Sequence, residues 1–168
     1  MPRRPTTRRP PPLRADWRRL AARMPISFFR AGLGRLFGGR LLLLHHTGRL
    51  SGLDRLAVLE VVEHDPTGGS WTVASGLGPR TDWYRNLRKQ PKTVVQVGGC
   101  HHAVTAHFLT PDDGAEVMVQ YARRHPRTVR LLCAFMHVPV DGSESAFREA
   151  VRGIPFVQLE ASVPPRTP

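Results

Sequence analysis

LLLLHHTGRLSGLDRLAVLEVVEHDPTGGSWTVAS, residues 41–75, is the stretch whose reading decides the fold. Three runs rich in Leu and Val, at 41–46, 55–63 and 70–75, have the length and side-chain character of strands. The segments between them, 47–54 and 64–69, are made of Gly, Ser, Thr, Asp and Pro, which favour turns over regular structure. Strands joined by short turns pair antiparallel with their neighbours, so the stretch reads as a meander.

Downstream, Thr81 or Asp82 can cap a helix that runs to about residue 89 and is stopped by Gln90-Pro91. Two further strands, 92–97 and 101–109, flank Gly98-Gly99, a two-residue hairpin signal. Thr110-Pro111-Asp112-Asp113 joins a capping residue, a proline suited to the first helical position and two acids for the positive end of the helix. Helices are predicted over 111–124, 126–135 and 144–152, followed by a last strand at 154–160. Upstream, 15–23 can form a short amphipathic helix with Trp17, Leu20 and Ala21 on one side, and 24–37 a second helix that docks on the strands. Strands gathered around one helix, with further helices near the end, indicate an α+β protein with an antiparallel barrel and flanking helices. The expected organisation is a disordered tail at 1–14, a helical segment at 15–39, the barrel domain at 40–161 and a tail at 162–168.

A chain of 168 residues with 40% hydrophobic content is about one domain long and large enough for a proper core. It has no 18-residue apolar run and no secretory signal, which points to a cytoplasmic protein. Cys100 and Cys133 are too few for a disulfide framework and suit a reducing compartment. Most of the formal net charge of +12 is a property of the start of the chain, where eight arginines face one acid, Asp16, within residues 1–23. That segment can lie on an acidic membrane surface, which would place the protein peripherally at the inner face of the membrane. Neither a recognition motif nor interleaved aromatics accompany the charge, so specific nucleic-acid binding is not expected.

The turn between the first two strands has chemistry of its own. Thr47, Gly48, Arg49, Ser51 and Gly52 combine glycines that let the chain bend, two hydroxyls, backbone N–H groups and a planar guanidinium, a set suited to holding an anion such as a phosphate. Arg55, at the start of the next strand, can add a second contact across the turn. The eight histidines include two adjacent pairs, His45-His46 and His101-His102. Neighbours on a strand point to opposite faces, so neither pair can chelate one ion, and no metal site is expected.

Taken in order, TGRLSG at 47–52, Arg55, VASGLG at 73–78, DWYRNLRKQP at 82–91, VQVGG at 95–99 and IPFVQLE at 154–160 resemble the deazaflavin-dependent nitroreductase family, whose members bind coenzyme F420. The resemblance implies the split β-barrel of flavin-binding proteins, with F420 as cofactor and FMN as the alternative. It implies that Thr47, Gly48, Arg49, Ser51, Gly52 and Arg55 hold the phosphate, that Ser75, Gly76, Leu77 and Gly78 lie beside the ring, and that Trp83 and Asn86 line the site. Family members place aromatic residues, often tyrosines, over the reactive ring; this chain offers Tyr121, the candidate proton donor, with His125, Phe135, Met136 and His137 nearby in sequence. Related sequences often have Lys where this chain has Leu50, and the Ser75 to Gly78 motif is shorter than the family's Lys-containing version, so two expected cations are missing.

The function implied is an oxidoreductase that passes a hydride from reduced F420 to an electron-poor small molecule: a quinone, an enone or a nitro compound. The cofactor supplies the difficult chemistry, which accounts for the absence of a catalytic triad in the sequence. The alternative is a non-catalytic F420 or flavin carrier or sensor on the same barrel. Monomer and homodimer are both compatible with the sequence.

Overall fold

A computed structural model describes residues 38–127, 129–130 and 143–162. The helices expected over 15–23 and 24–37, the tail at 1–14, residues 163–168 of the other tail, and most of the helix expected over 126–135 lie outside the described residues, as do Cys133, Phe135, Met136 and His137.

Six strands form a closed barrel: β1 (Leu41–Thr47), β2 (Asp54–Asp65), β3 (Ser70–Ala74), β4 (Lys92–Val97), β5 (Cys100–Phe108) and β6 (Phe156–Ala161). Their order around the barrel is β1-β2-β3-β6-β5-β4, and the ring closes where β4 pairs with β1. All six ladders are antiparallel. The meander read from 41–75 is β1 to β3, and the Gly98-Gly99 signal is the β4–β5 hairpin, closed by the Val97↔Cys100 pair with Gly98 at φ +59°. Along β2 the register shifts between Val61 and Glu63, a local bulge that lets a 12-residue strand bend with the barrel wall.

Alternation along the strands builds the core. Leu42 and Leu44 of β1 lie opposite Val97 and Val95 of β4 and opposite Leu59 and Ala57 of β2. With Trp71, Val73, Val104, Val157 and Leu159 they form one buried apolar cluster. Helix α1 (Asp82–Lys89) adds Trp83, Tyr84 and Leu87 to the same cluster. A second cluster joins helix α2 (Pro111–Arg124), helix α3 (Glu144–Val151) and Phe156, through Ala115, Met118, Val119, Tyr121, Phe147 and Val151.

Local signals placed these helices well. Thr110 caps α2 by accepting the Asp113 N–H at 3.2 Å, and Ser143 caps α3 by accepting the Ala146 N–H at 3.1 Å. At α1 the outcome differs: Thr81 occupies the cap position but makes no side-chain cap. Its hydroxyl instead meets Ser75 Oγ at 2.8 Å and donates to the Gly78 carbonyl at 3.4 Å, tying the preceding loop to the helix start.

Candidate functional site

Where β1 ends, the chain turns back into β2 beside α1. The turn closes on itself: Gly48 N–H donates to the Leu53 carbonyl and Gly52 N–H to the Gly48 carbonyl, both at 2.8 Å. Leu53 N–H reaches Ser51 Oγ at 3.3 Å. Two glycines make this possible. A Cβ at Gly48 would sit 2.5 Å from Ser51 Oγ, and Gly52 has φ +67°, a region L side chains disfavour. These internal bonds, together with the Arg49 N–H described next, use most of the turn's N–H groups. Its charge, more than its backbone, is what faces a ligand.

Asn86 of α1 organises the charged part. Its carboxamide is buried, and Oδ1 accepts both the Arg49 backbone N–H at 3.1 Å and Arg49 Nη1 at 3.0 Å. Arg49 Nη1 also donates to Asp82 Oδ1 at 2.8 Å, and Lys89 Nζ to the Arg49 carbonyl at 3.1 Å. The Arg49 hydrogen bond holds the Asp82 carboxyl below its ordinary pKa, so it is ionised at neutral pH. On its other side Asn86 Nδ2 lies 2.9 Å from His46 Nδ1. His46 is buried, and burial, aided by Arg55 and His45 and opposed by Asp82, lowers its pKa below 6.5 and keeps the ring neutral at pH 7.

This network borders a cavity of about 580 Å³, within the range of small-molecule and cofactor sites. Gly48, Arg49, Leu50 and Ser51 supply one wall, Arg55, Leu56 and Ala57 of β2 another, and Asp82, Trp83 and Asn86 of α1 a third, with His46 among them. Charged residues (Arg49, Arg55, Asp82) and apolar or aromatic ones (Leu50, Leu56, Ala57, Trp83) share the lining, a mixture that suits a flat ring with an anionic appendage. Arg55 makes no ion pair among the described residues, so it is the uncompensated cation of the site. Beyond Arg49, a second recess of about 390 Å³ lies against Pro79, Tyr84, Arg85 and Arg88.

The residues expected from sequence divide into two groups. Gly48, Arg49, Ser51, Arg55, Trp83 and Asn86 meet at the cavity, whereas Thr47, Gly52, Ser75, Gly76, Leu77 and Gly78 do not line it. Thr47 is the last residue of β1, paired with Asp54, and Gly52 shapes the turn. Ser75 is buried, its hydroxyl donating to the Gly78 carbonyl at 2.7 Å, while Leu77 points to solvent. Tyr121 also stands apart. It is buried among α2 and α3, its hydroxyl donates to Glu60 Oε1 at 2.6 Å, and burial reinforced by that carboxylate raises its pKa to about 12. A phenol so placed holds its proton tightly for Glu60, so the proton-donor role finds no support in this placement. Sequence reasoning passed over His46 as a site residue. Strand parity could have found it, since Leu42, Leu44 and His46 share the inward face. Among the described residues no three metal-ligating side chains converge.

Residues 17–136 match the family described as F420H(2)-dependent quinone reductase, a span that includes the turn, α1 and the whole cavity. The chain belongs to that family. It is an F420-dependent oxidoreductase, in agreement with the resemblance carried by TGRLSG and DWYRNLRKQP. No curated protein matches the chain. Among solved structures, one described as an F420-H2 dependent reductase (FDR-A) is 22% identical, with 72% of this chain and 94% of that one covered and a TM-score of 0.49. A conserved hypothetical protein of Mycobacterium tuberculosis is 14% identical, with 79% and 80% covered and a TM-score of 0.52. A protein of unknown function from Agrobacterium tumefaciens is 13% identical, with 92% and 60% covered and a TM-score of 0.51. The last two share the fold. No helix among the described residues is long and apolar enough to cross a membrane.

Proposed function

We propose that the cavity between the 47–52 turn, β2 and α1 is the F420 site, and that the acceptor reduced there is a quinone. The observation that supports this most is the pairing of Arg49 and Arg55 with the Trp83, Leu56 and Ala57 surface around one cavity. Reduced F420 supplies a hydride and a proton, and the quinone leaves as the hydroquinone. The residues' part is binding and orientation. Arg55, free of protein partners, meets the cofactor's anionic phosphate, and Arg49, held rigid by Asn86, directs its remaining N–H groups to the same anion. Trp83 gives an aromatic wall for a flat ring, with Leu56 and Ala57 as further apolar surface. Enones and nitro compounds meet the same electronic requirement.

Titrating the purified protein with F420 while following tryptophan fluorescence tests binding, since Trp83 lies in the wall. Adding menadione to protein and reduced F420 tests turnover through the returning absorbance of the oxidised cofactor. Binding and turnover are expected. Tight binding with no reduction of any acceptor class would favour the carrier or sensor reading instead.

A further inference from the structure

The bonds behind the turn form a single line of contacts: His46 Nδ1, Asn86 Nδ2, Asn86 Oδ1, then the N–H and Nη1 of Arg49. The orientation of the Asn86 amide follows from its partners. Both Arg49 groups donate, so Oδ1 has to face them, which leaves Nδ2 on the His46 side. An amide NH₂ only donates, so His46 Nδ1 accepts and its ring is the neutral tautomer with the proton on Nε2. His46 and Asn86 are both largely buried, at the inner edge of the cavity.

We propose that His46 is a positioning residue that, through the Asn86 amide, holds the Arg49 turn in its anion-binding form, and that protonation of the ring releases this hold and weakens cofactor binding. The proposal rests on the cavity being the F420 site. With a proton on Nδ1 the ring would point an N–H at the Asn86 NH₂. The amide then turns over to offer its oxygen to the ring, and Oδ1 leaves the Arg49 N–H and Nη1. A buried network with a donor facing a donor is costly, so the rearrangement follows the proton. The charged groups around the ring set when this happens. Asp82 of α1 favours the proton, while Arg55 of β2 and His45 of β1 oppose it. Burial, the largest influence, opposes it too, so the switch lies on the acid side of the ordinary histidine range.

Two measurements test this. In the apoprotein, ¹⁵N NMR of the histidine ring should show Nδ1 unprotonated and Nε2 protonated at neutral pH. F420 dissociation constants for wild type, His46→Asn and His46→Phe should then be followed from about pH 7.5 to about pH 5. Asn places an amide oxygen near the position of Nδ1 and does not titrate; Phe offers no acceptor. The ligand's own titration is common to all three proteins, so ratios isolate His46. The wild-type to His46→Asn ratio of dissociation constants should rise about tenfold on acidification, and His46→Phe should bind about tenfold more weakly than wild type at neutral pH while still melting cooperatively. A constant ratio, or a ring carrying its proton on Nδ1, would overturn the proposal. Failure of all three proteins to bind F420 would overturn the cofactor reading, and the tautomer would then decide by itself whether His46 holds Asn86.

Discussion

The chain contains two glycine turns that look alike on paper, 47–52 and 75–78, and the structure treats them differently. In the 75–78 loop the polar atoms are satisfied within a few residues: Ser75 Oγ meets the Gly78 carbonyl and Thr81 Oγ1, and Gly78 N–H donates to the Ser75 carbonyl at 2.7 Å. In the 47–52 turn the backbone is also closed, but Arg49 reaches Asn86 and Asp82, more than 30 residues away. The first loop completes a corner of the barrel. The second joins two elements and leaves cationic surface at a cavity. What makes a turn a candidate site is therefore the charge left over after its own hydrogen bonds are counted.

The largest effect should come from Arg49→Ala. It removes a charge-assisted contact and leaves the Asp82 carboxylate, ionised and unopposed, beside an anionic cofactor; a loss of about 30-fold or more in F420 affinity is expected. An unchanged dissociation constant would dissolve the distinction between the turns. The matching substitution in the other loop, Gly78→Ala, should act on stability alone. Gly78 has φ +83° with open space where a Cβ would stand, so only backbone strain of about 1 kcal/mol is added, seen as a lower denaturation midpoint with F420 affinity within about twofold.

Asp82→Asn sharpens the same contrast from the other direction. The carboxylate is exposed and neutralises one of the two arginines at the cavity, so its ion pair with Arg49 adds little to stability. Removing the negative charge should tighten F420 binding by about fivefold at low ionic strength, an advantage that added salt erodes. Weaker binding would mean that Asp82 acts chiefly by orienting Arg49, with Asn86 unable to do so alone.

The barrel was legible because its cause is local. The Leu- and Val-rich runs bounded by turn residues, the Gly98-Gly99 hairpin and the Thr110-Pro111 helix start each act within a few residues, so their signals survive in a single sequence. The lining of the candidate cavity was half legible. Arg49, Arg55, Trp83 and Asn86 were placed by their motifs, but the role of Asn86 as the acceptor for Arg49 depends on two segments 37 residues apart, and no periodicity records that contact. The surroundings of Tyr121 were illegible for a related reason. Its position on α2 follows from sequence, whereas its engagement by Glu60, 61 residues earlier, depends on how the helix lies against β2. Thr81 shows the limit even for local rules: a residue at a cap position spent its hydroxyl on the neighbouring loop.

The smallest effects provide the closest comparison, because the same substitution can be made in both turns. Leu50 and Leu77 are both strongly exposed. Leu50 borders the cavity, while Leu77 does not. A surface cation near an anionic ligand in high dielectric contributes about 1 kcal/mol or less, so Leu50→Lys should tighten F420 binding by about two- to fivefold. Leu77→Lys should leave affinity within about twofold, since its charge would be held in solvent by a loop whose polar groups are already satisfied. Both proteins should fold as wild type, because neither leucine is buried. Measured side by side at two salt concentrations, equal gains would show that the barrel recruits the cofactor through its overall positive field. A gain confined to Leu50→Lys would tie recruitment to the cavity wall itself, where Arg49 and Arg55 already stand.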